Sequence, residues 1–161
     1  MGTLNLRAVS SFVALGSNLG NRAANIESAI EQLGRIRGIT LLRRSSLLEN
    51  PAVGGPPDSP PFLNAVAQVE TTLPARALLD QLLAIEASLG RVRRTRWEPR
   101  IIDLDLLLYA EQVIDEPGLV VPHPSMHLRR FVLEPMCEIA PDFAHPVLKK
   151  TMRELLAELT K

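Results

Sequence analysis

The sequence predicts an α+β domain with a β-α-β-β-α-β core and a C-terminal extension of a short hairpin and helices. Three observations carry this expectation: apolar or alternating runs of strand length, two stretches with apolar residues at helical spacing, and glycine- or proline-marked turns between them. With 161 residues and 46% hydrophobic content, the chain suits one globular domain over residues 1–161, large enough to bury a core without staples.

Residues 11–15, with Phe12 and Val13, form the first strand and stop at the turn Gly16-Ser17-Asn18. Asn21 caps a helix whose stripe is Ile26, Ile30 and Leu33 and whose stop is Gly34. Residues 39–48 read as a second strand, with one wet stretch at Arg43-Arg44-Ser45-Ser46, and residues 62–71 as a third, alternating around Val66, Val69 and Thr71. Pro74 suits the first turn of a second helix, carried by Leu78, Leu82, Ile85 and Leu89 and ended by Gly90. Residues 101–109 are the fourth strand, and Val113-Ile114 a short fifth. This is the split βαβ, ferredoxin-like order. A Pro/His loop over 117–127, a helix around 130–139 and an amphipathic helix over 152–159 complete the chain.

Lys and Arg number 18 and Asp and Glu 18, so the formal net charge is zero, which argues against nucleic-acid binding by an overall basic field. The single cysteine, Cys137, cannot form an internal bridge and suits a reducing compartment. No apolar run reaches the length of a membrane span, and the first residues lack a signal-peptide pattern, so a cytoplasmic chain with no membrane partner is expected, as a monomer.

Two loops stand out. Residues 49–61 hold five Pro and two Gly, and a loop of that length in a compact domain is usually functional or disordered. Residues 91–100 hold Arg91, Arg93, Arg94, Arg96 and Arg100 directly upstream of Asp103 and Asp105. The two acids sit at i and i+2 of an otherwise apolar strand, so both carboxylates share a face, an unfavourable arrangement unless a cation or an arginine compensates them. Hard divalent ions, Mg²⁺ above all, bind one or two carboxylates plus phosphate oxygens, and Arg grips phosphate with a planar fork. The plainer alternative is a salt-bridged acid pair beside a solvated basic loop. No G-x-x-x-x-G-K-[ST] is present, and Gly16 to Gly20 reads as an ordinary strand-to-helix turn.

Phe62 and Asn64 share a strand face, and Phe131 follows Arg129-Arg130; two rings and an amide could hold a flat heterocycle, although each Phe alone reads as core. His123, between two prolines, suits a fixed hydrogen bond. His127, His145 and Cys137 show no metal spacing and read as structural or surface residues, and Glu86 as the partner of an arginine in the 91–100 loop.

Taken together, GRVR at 90–93, RW-x-PR at 96–100, IIDLDLLL at 101–108, VPHP at 121–124 and RRFVLEP at 129–135 resemble the 6-hydroxymethyl-7,8-dihydropterin pyrophosphokinase family of folate biosynthesis. LGSNLGNR at 15–22, FLNAV at 62–66 and EIAP at 138–141 extend the resemblance from about residue 11 to the last helix. It implies a single ferredoxin-like pterin pyrophosphokinase domain that moves the terminal diphosphate of ATP onto the pterin hydroxymethyl group, leaving AMP. By the same resemblance, Asp103 and Asp105 hold two Mg²⁺ ions, Arg91 and Arg100 end a mobile catalytic loop with Arg93 between them, and His123, Arg129 and Leu106 contact ATP. Phe62 and Phe131 stack on the pterin, Asn64 anchors it, Trp97 closes over it, and the backbone around Asn50 and Val53 completes its edge. Gly118, Val120 and Pro124 stand where some relatives offer Arg, Thr and Tyr, so a thinner grip on adenosine is expected. Two other readings remain open to the residues themselves: an RNA-recognition module of the same strand order, and a Mg²⁺-dependent phosphatase or nuclease.

Overall fold

A computed structural model describes residues 7–50, 60–90 and 101–160. Among them, five strands form one antiparallel sheet in a mixed α/β fold with four α-helices. Strand β1 (Val9–Ser17) is central and pairs on one side with β4 (Phe62–Thr71) and on the other with β5 (Asp103–Tyr109). Beyond β4 lie β2 (Ile39–Arg44) and β3 (Leu48–Asn50), both paired with it, so β5 forms one edge of the sheet.

Period-two geometry sorts the side chains into two cores. Val13, Leu15, Ala65, Ala67, Leu104 and Leu106 pack against α1 (Arg22–Arg35) and α2 (Ala75–Ser88). Phe12, Val66, Leu107 and Leu108 pack against α3 (Arg130–Ile139) and α4 (Met152–Leu159). Burial on both faces explains why β1 reads as a nearly continuous apolar run rather than a clean alternation. Adjacent Leu107 and Leu108 share a face because the β1–β5 register jumps from Phe12↔Leu108 to Val13↔Leu106, a bulge that leaves Leu107 as the extra residue. The buried Ser11 hydroxyl donates to the Leu108 carbonyl at 2.6 Å beside this irregularity.

Several boundaries differ from the sequence reading for identifiable reasons. Helix α1 begins as expected, with Asn21 Oδ1 accepting from the Ala24 N–H at 3.1 Å, but it runs through Gly34 to Arg35. The glycine that turns the chain is Gly38, at φ +92°, a conformation L side chains rarely adopt. The expected strand over 39–48 is two strands, because Ser45 replaces a main-chain partner with its own side chain: the Val66 N–H donates to Ser45 Oγ at 2.9 Å, while the Ser45 N–H donates to the Val66 carbonyl at 2.9 Å. Ser45 is 1% exposed, so this stretch is not wet at its centre. The next residue turns outward, and the Ser46 N–H and Oγ–H each donate to one oxygen of Glu138 on α3 at 2.9 Å. The short fifth strand pairs as a hairpin, β6 (Ile114–Glu116) with β7 (Leu119–Val121), turning at Gly118 with φ +76°; the expected Pro/His loop thus begins after β7.

The C-terminal segment is held by a capping box on α4, in which the Glu154 N–H donates to Thr151 Oγ1 at 3.1 Å and the Thr151 N–H to Glu154 Oε1 at 2.9 Å. His145, 4% exposed, accepts at Nδ1 from the Val147 and Leu148 N–H groups at 3.2 and 3.1 Å. It is a structural residue, as the sequence suggested. Burial holds its imidazole below the ordinary value of 6.5, and the adjacent His127 ring pushes the same way. The unfolded chain therefore binds a proton here that the folded chain resists, so stability falls as pH drops through about 6.5 and levels off once the folded ring itself protonates. Melting temperatures measured from pH 7.5 down to 5.5 should decline, and His145→Asn, whose Oδ1 can accept the same N–H bonds, should flatten that decline.

Candidate active site

Helices α3 and α4 cover one sheet face only in part. At the C-terminal end of β1 and the N-terminal ends of β4 and β5, the face opens into a cavity of about 390 Å³. Its sheet side is built from alternate residues: Ala14 and Gly16 of β1, Phe62 and Asn64 of β4, and Asp103 and Asp105 of β5. Asn50 enters from β3, and Leu128, Arg129, Phe131 and Val132 from the start of α3 and the turn before it. The Asn50 amide donates to Asn64 Oδ1, and the Arg129 guanidinium lies 5.7 Å from the Phe131 ring centroid. The structure thus gathers Asn50, Phe62, Asn64 and Phe131, expected as ring-binding residues, around one space.

A second cavity, also about 390 Å³, lies on the other side of β5. Leu106 and His123, expected at the nucleotide, line it with Leu79 and Leu83 of α2, Glu86, Leu119, Val120 and Pro124, whereas Arg129, expected at the nucleotide as well, lines the first cavity. Among the described residues that line them, Asp103 and Asp105 alone belong to both cavities. The acid pair is the wall through which the two spaces meet.

The backbone under this pair is fixed from α2. Glu86, 4% exposed, accepts the N–H of Leu104, the residue between the two acids, at 2.7 Å. An edge strand has no further neighbour to satisfy its outward N–H groups, and a buried carboxylate supplies that acceptor here. The expected pairing of Glu86 with an arginine of the 91–100 loop concerns residues outside those described. Val53, Arg91, Arg93, Trp97 and Arg100 also lie outside them.

His123 is held rigidly. Its N–H donates to the Leu107 carbonyl at 2.8 Å, and its Nδ1 accepts from the Ser125 N–H at 3.1 Å, so the neutral ring carries its proton on Nε2. Burial keeps the imidazole below its ordinary value, Arg129 lowers it further and Asp103 opposes them. The ring is a fixed neutral donor in the second cavity, in line with the fixed hydrogen bond expected of it.

Among the described residues no group of three or more His, Cys, Asp or Glu gathers into a metal cage. Two carboxylates on one strand face form a hard oxygen donor set that fits Mg²⁺ completed by phosphate oxygens, and does not fit a soft or all-protein site.

Gly16 is the residue that the sequence reading passed over as part of an ordinary turn. It pairs with Asn64 on one side and Asp103 on the other, and a Cβ there would stand 2.9 Å from Asn64 Nδ2 and 3.5 Å from Phe62 Cδ1. The signal available was a glycine closing an apolar strand, which marks close approach. Leu79 and Leu83 were missed because an apolar residue on a helix reads as core or surface unless its neighbour is known. Gly16→Ala should fold with little change in melting temperature but displace the Asn64 amide, weakening binding of a heterocycle in the first cavity by about tenfold in a titration.

A family profile described as 7,8-dihydro-6-hydroxymethylpterin-pyrophosphokinase (HPPK) matches residues 12–141. The chain is 42% identical over 149 residues to a Methylorubrum extorquens protein named 2-amino-4-hydroxy-6-hydroxymethyldihydropteridine pyrophosphokinase, covering 92% of each chain. It is 45% identical over 135 residues to a protein of the same name from Pseudomonas aeruginosa, covering 84% of this chain and 83% of that one. Its fold is similar to a Plasmodium falciparum HPPK-DHPS crystal structure, with a TM-score of 0.78 at 14% identity over 97% of this chain. The chain spans 46% of the length of that solved chain. The profile covers both cavities and the acid pair between them, and with relatives this similar along most of their length the chain belongs to the 7,8-dihydro-6-hydroxymethylpterin-pyrophosphokinase family.

Proposed function

We propose that this chain transfers the terminal diphosphate of ATP to the hydroxymethyl group of 6-hydroxymethyl-7,8-dihydropterin, releasing AMP. The observation that carries this reading is the shared acid pair: two cavities, one flanked by rings and amides and the other by apolar side chains and a histidine, meet at Asp103 and Asp105. A two-substrate transfer needs that arrangement, with each substrate in its own space and the reacting groups at the common wall.

The flat pterin fits between Phe62 and Phe131, with Asn64 and Asn50 offering amide donors and acceptors to its edge. The adenine end of ATP fits the apolar side of the second cavity, against Leu79, Leu83 and Leu106. His123 donates from Nε2 to a phosphate oxygen, and Arg129 places its charge beside Phe131 at the ring-binding end. Asp103 and Asp105 would hold Mg²⁺, which when bound neutralises charge on the phosphate oxygens. The chain's own task is alignment: the pterin hydroxyl oxygen attacks the β-phosphorus, the bond from that phosphorus to the oxygen of AMP breaks, and the hydroxyl proton passes to solvent. In phosphoryl chemistry positioning and charge stabilisation supply most of the acceleration. Arg91, Arg93 and Arg100 suit the remaining phosphate charge, and Trp97 and the backbone near Val53 suit the pterin edge.

The strand order β2-β4-β1-β5, with α1 and α2 on one face, supports the ferredoxin-like reading of the core, and continuous packing of α3 and α4 on the other face supports one domain. In an RNA-recognition module that second face receives the bases; here α3 and α4 occupy much of it. No helix among the described residues is long and apolar enough to cross a membrane. We further propose a cytoplasmic monomer whose partners are ATP and the pterin.

Incubation with ATP, Mg²⁺ and the hydroxymethyl pterin should yield AMP, and omission of the pterin should abolish it; phosphate release without pterin would overturn the proposal in favour of a phosphatase. Asp105→Asn should reduce turnover on the order of a hundredfold at saturating substrates, with pterin affinity little changed. Phe131→Ala should do the reverse, raising the pterin dissociation constant roughly tenfold in an equilibrium titration.

A further inference from the structure

We propose that Arg22, which lines neither cavity, is a positioning residue for the ring-binding cavity, holding Asn50 and Phe62 in place from outside it; this rests on the reading of that cavity as the pterin site.

Asn50 and Phe62 are register partners and form the last pair of the β3–β4 ladder. Strand β3 is only three residues long, so the ladder restrains this end weakly. Residues 60 and 61 are both proline and can donate no main-chain hydrogen bond, so main-chain hydrogen bonds can hold the chain entering Phe62 only through its carbonyls. Both carbonyls are taken. Asn18 Nδ2 donates to the Pro60 carbonyl at 3.2 Å, and Arg22 Nη1 donates to the Pro61 carbonyl at 2.9 Å. The other arm of the same guanidinium, Nη2, donates to Glu49 Oε2 at 3.0 Å. Arg22 therefore binds the residue before Asn50 and the residue before Phe62 at once.

The ion pair alone is solvent-exposed on the Glu49 side, where 58% of the carboxylate side chain is accessible, and contributes little. What distinguishes Arg22 is the planar fork, which ties two chain segments separated by eleven residues at their closest approach. As the first residue of α1, it is itself fixed by the helix that Asn21 caps. Helix α1 thus sets where the cavity's amide and one of its rings stand, although it packs on the opposite face of the sheet.

The test uses the full chain with Mg²⁺ and α,β-methylene ATP, in which the bond that the reaction breaks is inert. Three quantities are read: the pterin dissociation constant in the presence of this nucleotide, the dissociation constant of the nucleotide itself, and the melting temperature. Arg22→Met, which keeps the aliphatic stem, is expected to weaken pterin binding about fivefold while nucleotide affinity stays within about twofold of wild type. Arg22→Lys, which keeps the charge but cannot reach two acceptors with a fork, is expected to recover little of that loss, and carries the test should Arg22→Met not fold. Unchanged pterin affinity in either variant overturns the role, as does an equal loss for both ligands with a fall in melting temperature. A wild-type chain that binds the nucleotide but not the pterin overturns the reading of the cavity itself, and the role of Arg22 with it.

Discussion

One residue pairing constrains the rest of the site: Gly16, on the central strand, stands opposite Asn64 on one neighbour and Asp103 on the other. Adjacent strands lie about 4.8 Å apart, so the Cα atoms of Asn64 and Asp103 are separated by roughly 10 Å across a residue with no side chain. Under the proposed function, a fused bicyclic ring and its exocyclic carbon bridge that span, with phosphate oxygens at the acid end. Because the spacing belongs to the main-chain ladder, it does not depend on side-chain rotamers. The helices beneath β1 hold it, and the partial cover by α3 leaves it open to ligand.

The two acids were legible in the sequence because polar residues at i and i+2 of an apolar strand must share a face and need a reason to be there, and Asn64 because it shares a strand face with Phe62; Asn50 came only through the family resemblance. Phe131 was legible through its position after Arg129-Arg130 and through the family resemblance. Gly16 and Leu79 were not, because their importance lies in what faces them across a strand or a cavity, and no local pattern records that. Glu86 reads from the sequence as the partner of an arginine in the 91–100 loop; the partner described for it is a main-chain N–H, which every residue possesses and which leaves no mark in the sequence. The arginines at 91–100 are the most conspicuous feature of the sequence, and they lie outside the described residues.

The same logic separates the elements that were read well from those that were not. The bounds Phe62–Thr71, Arg130–Ile139 and Met152–Leu159 follow from periodicity and turn residues, and they match the structure. The break in the second strand does not follow from periodicity, since a serine hydroxyl can stand in for a carbonyl only where a particular N–H of the neighbouring strand reaches it. The overrun of α1 past Gly34 has a similar origin: the nearest heavy atom that a Cβ there would meet is Leu41 Cβ, at 3.8 Å, and nothing in that space obliges the helix to stop.

The bulge at Leu107 acts as a phase change along β5. Before it, Asp103 and Asp105 face the first cavity and the even-numbered positions face α2; after it, Leu108 takes the face the odd residues held and Tyr109 turns toward α2, its hydroxyl donating to the Leu73 carbonyl at 2.6 Å. The strand is therefore two short alternating segments in opposite phase, each with its own packing partners. The register that places Asp103 opposite Gly16 and Asp105 opposite Ala14 is therefore not the register that packs the distal end of the same strand.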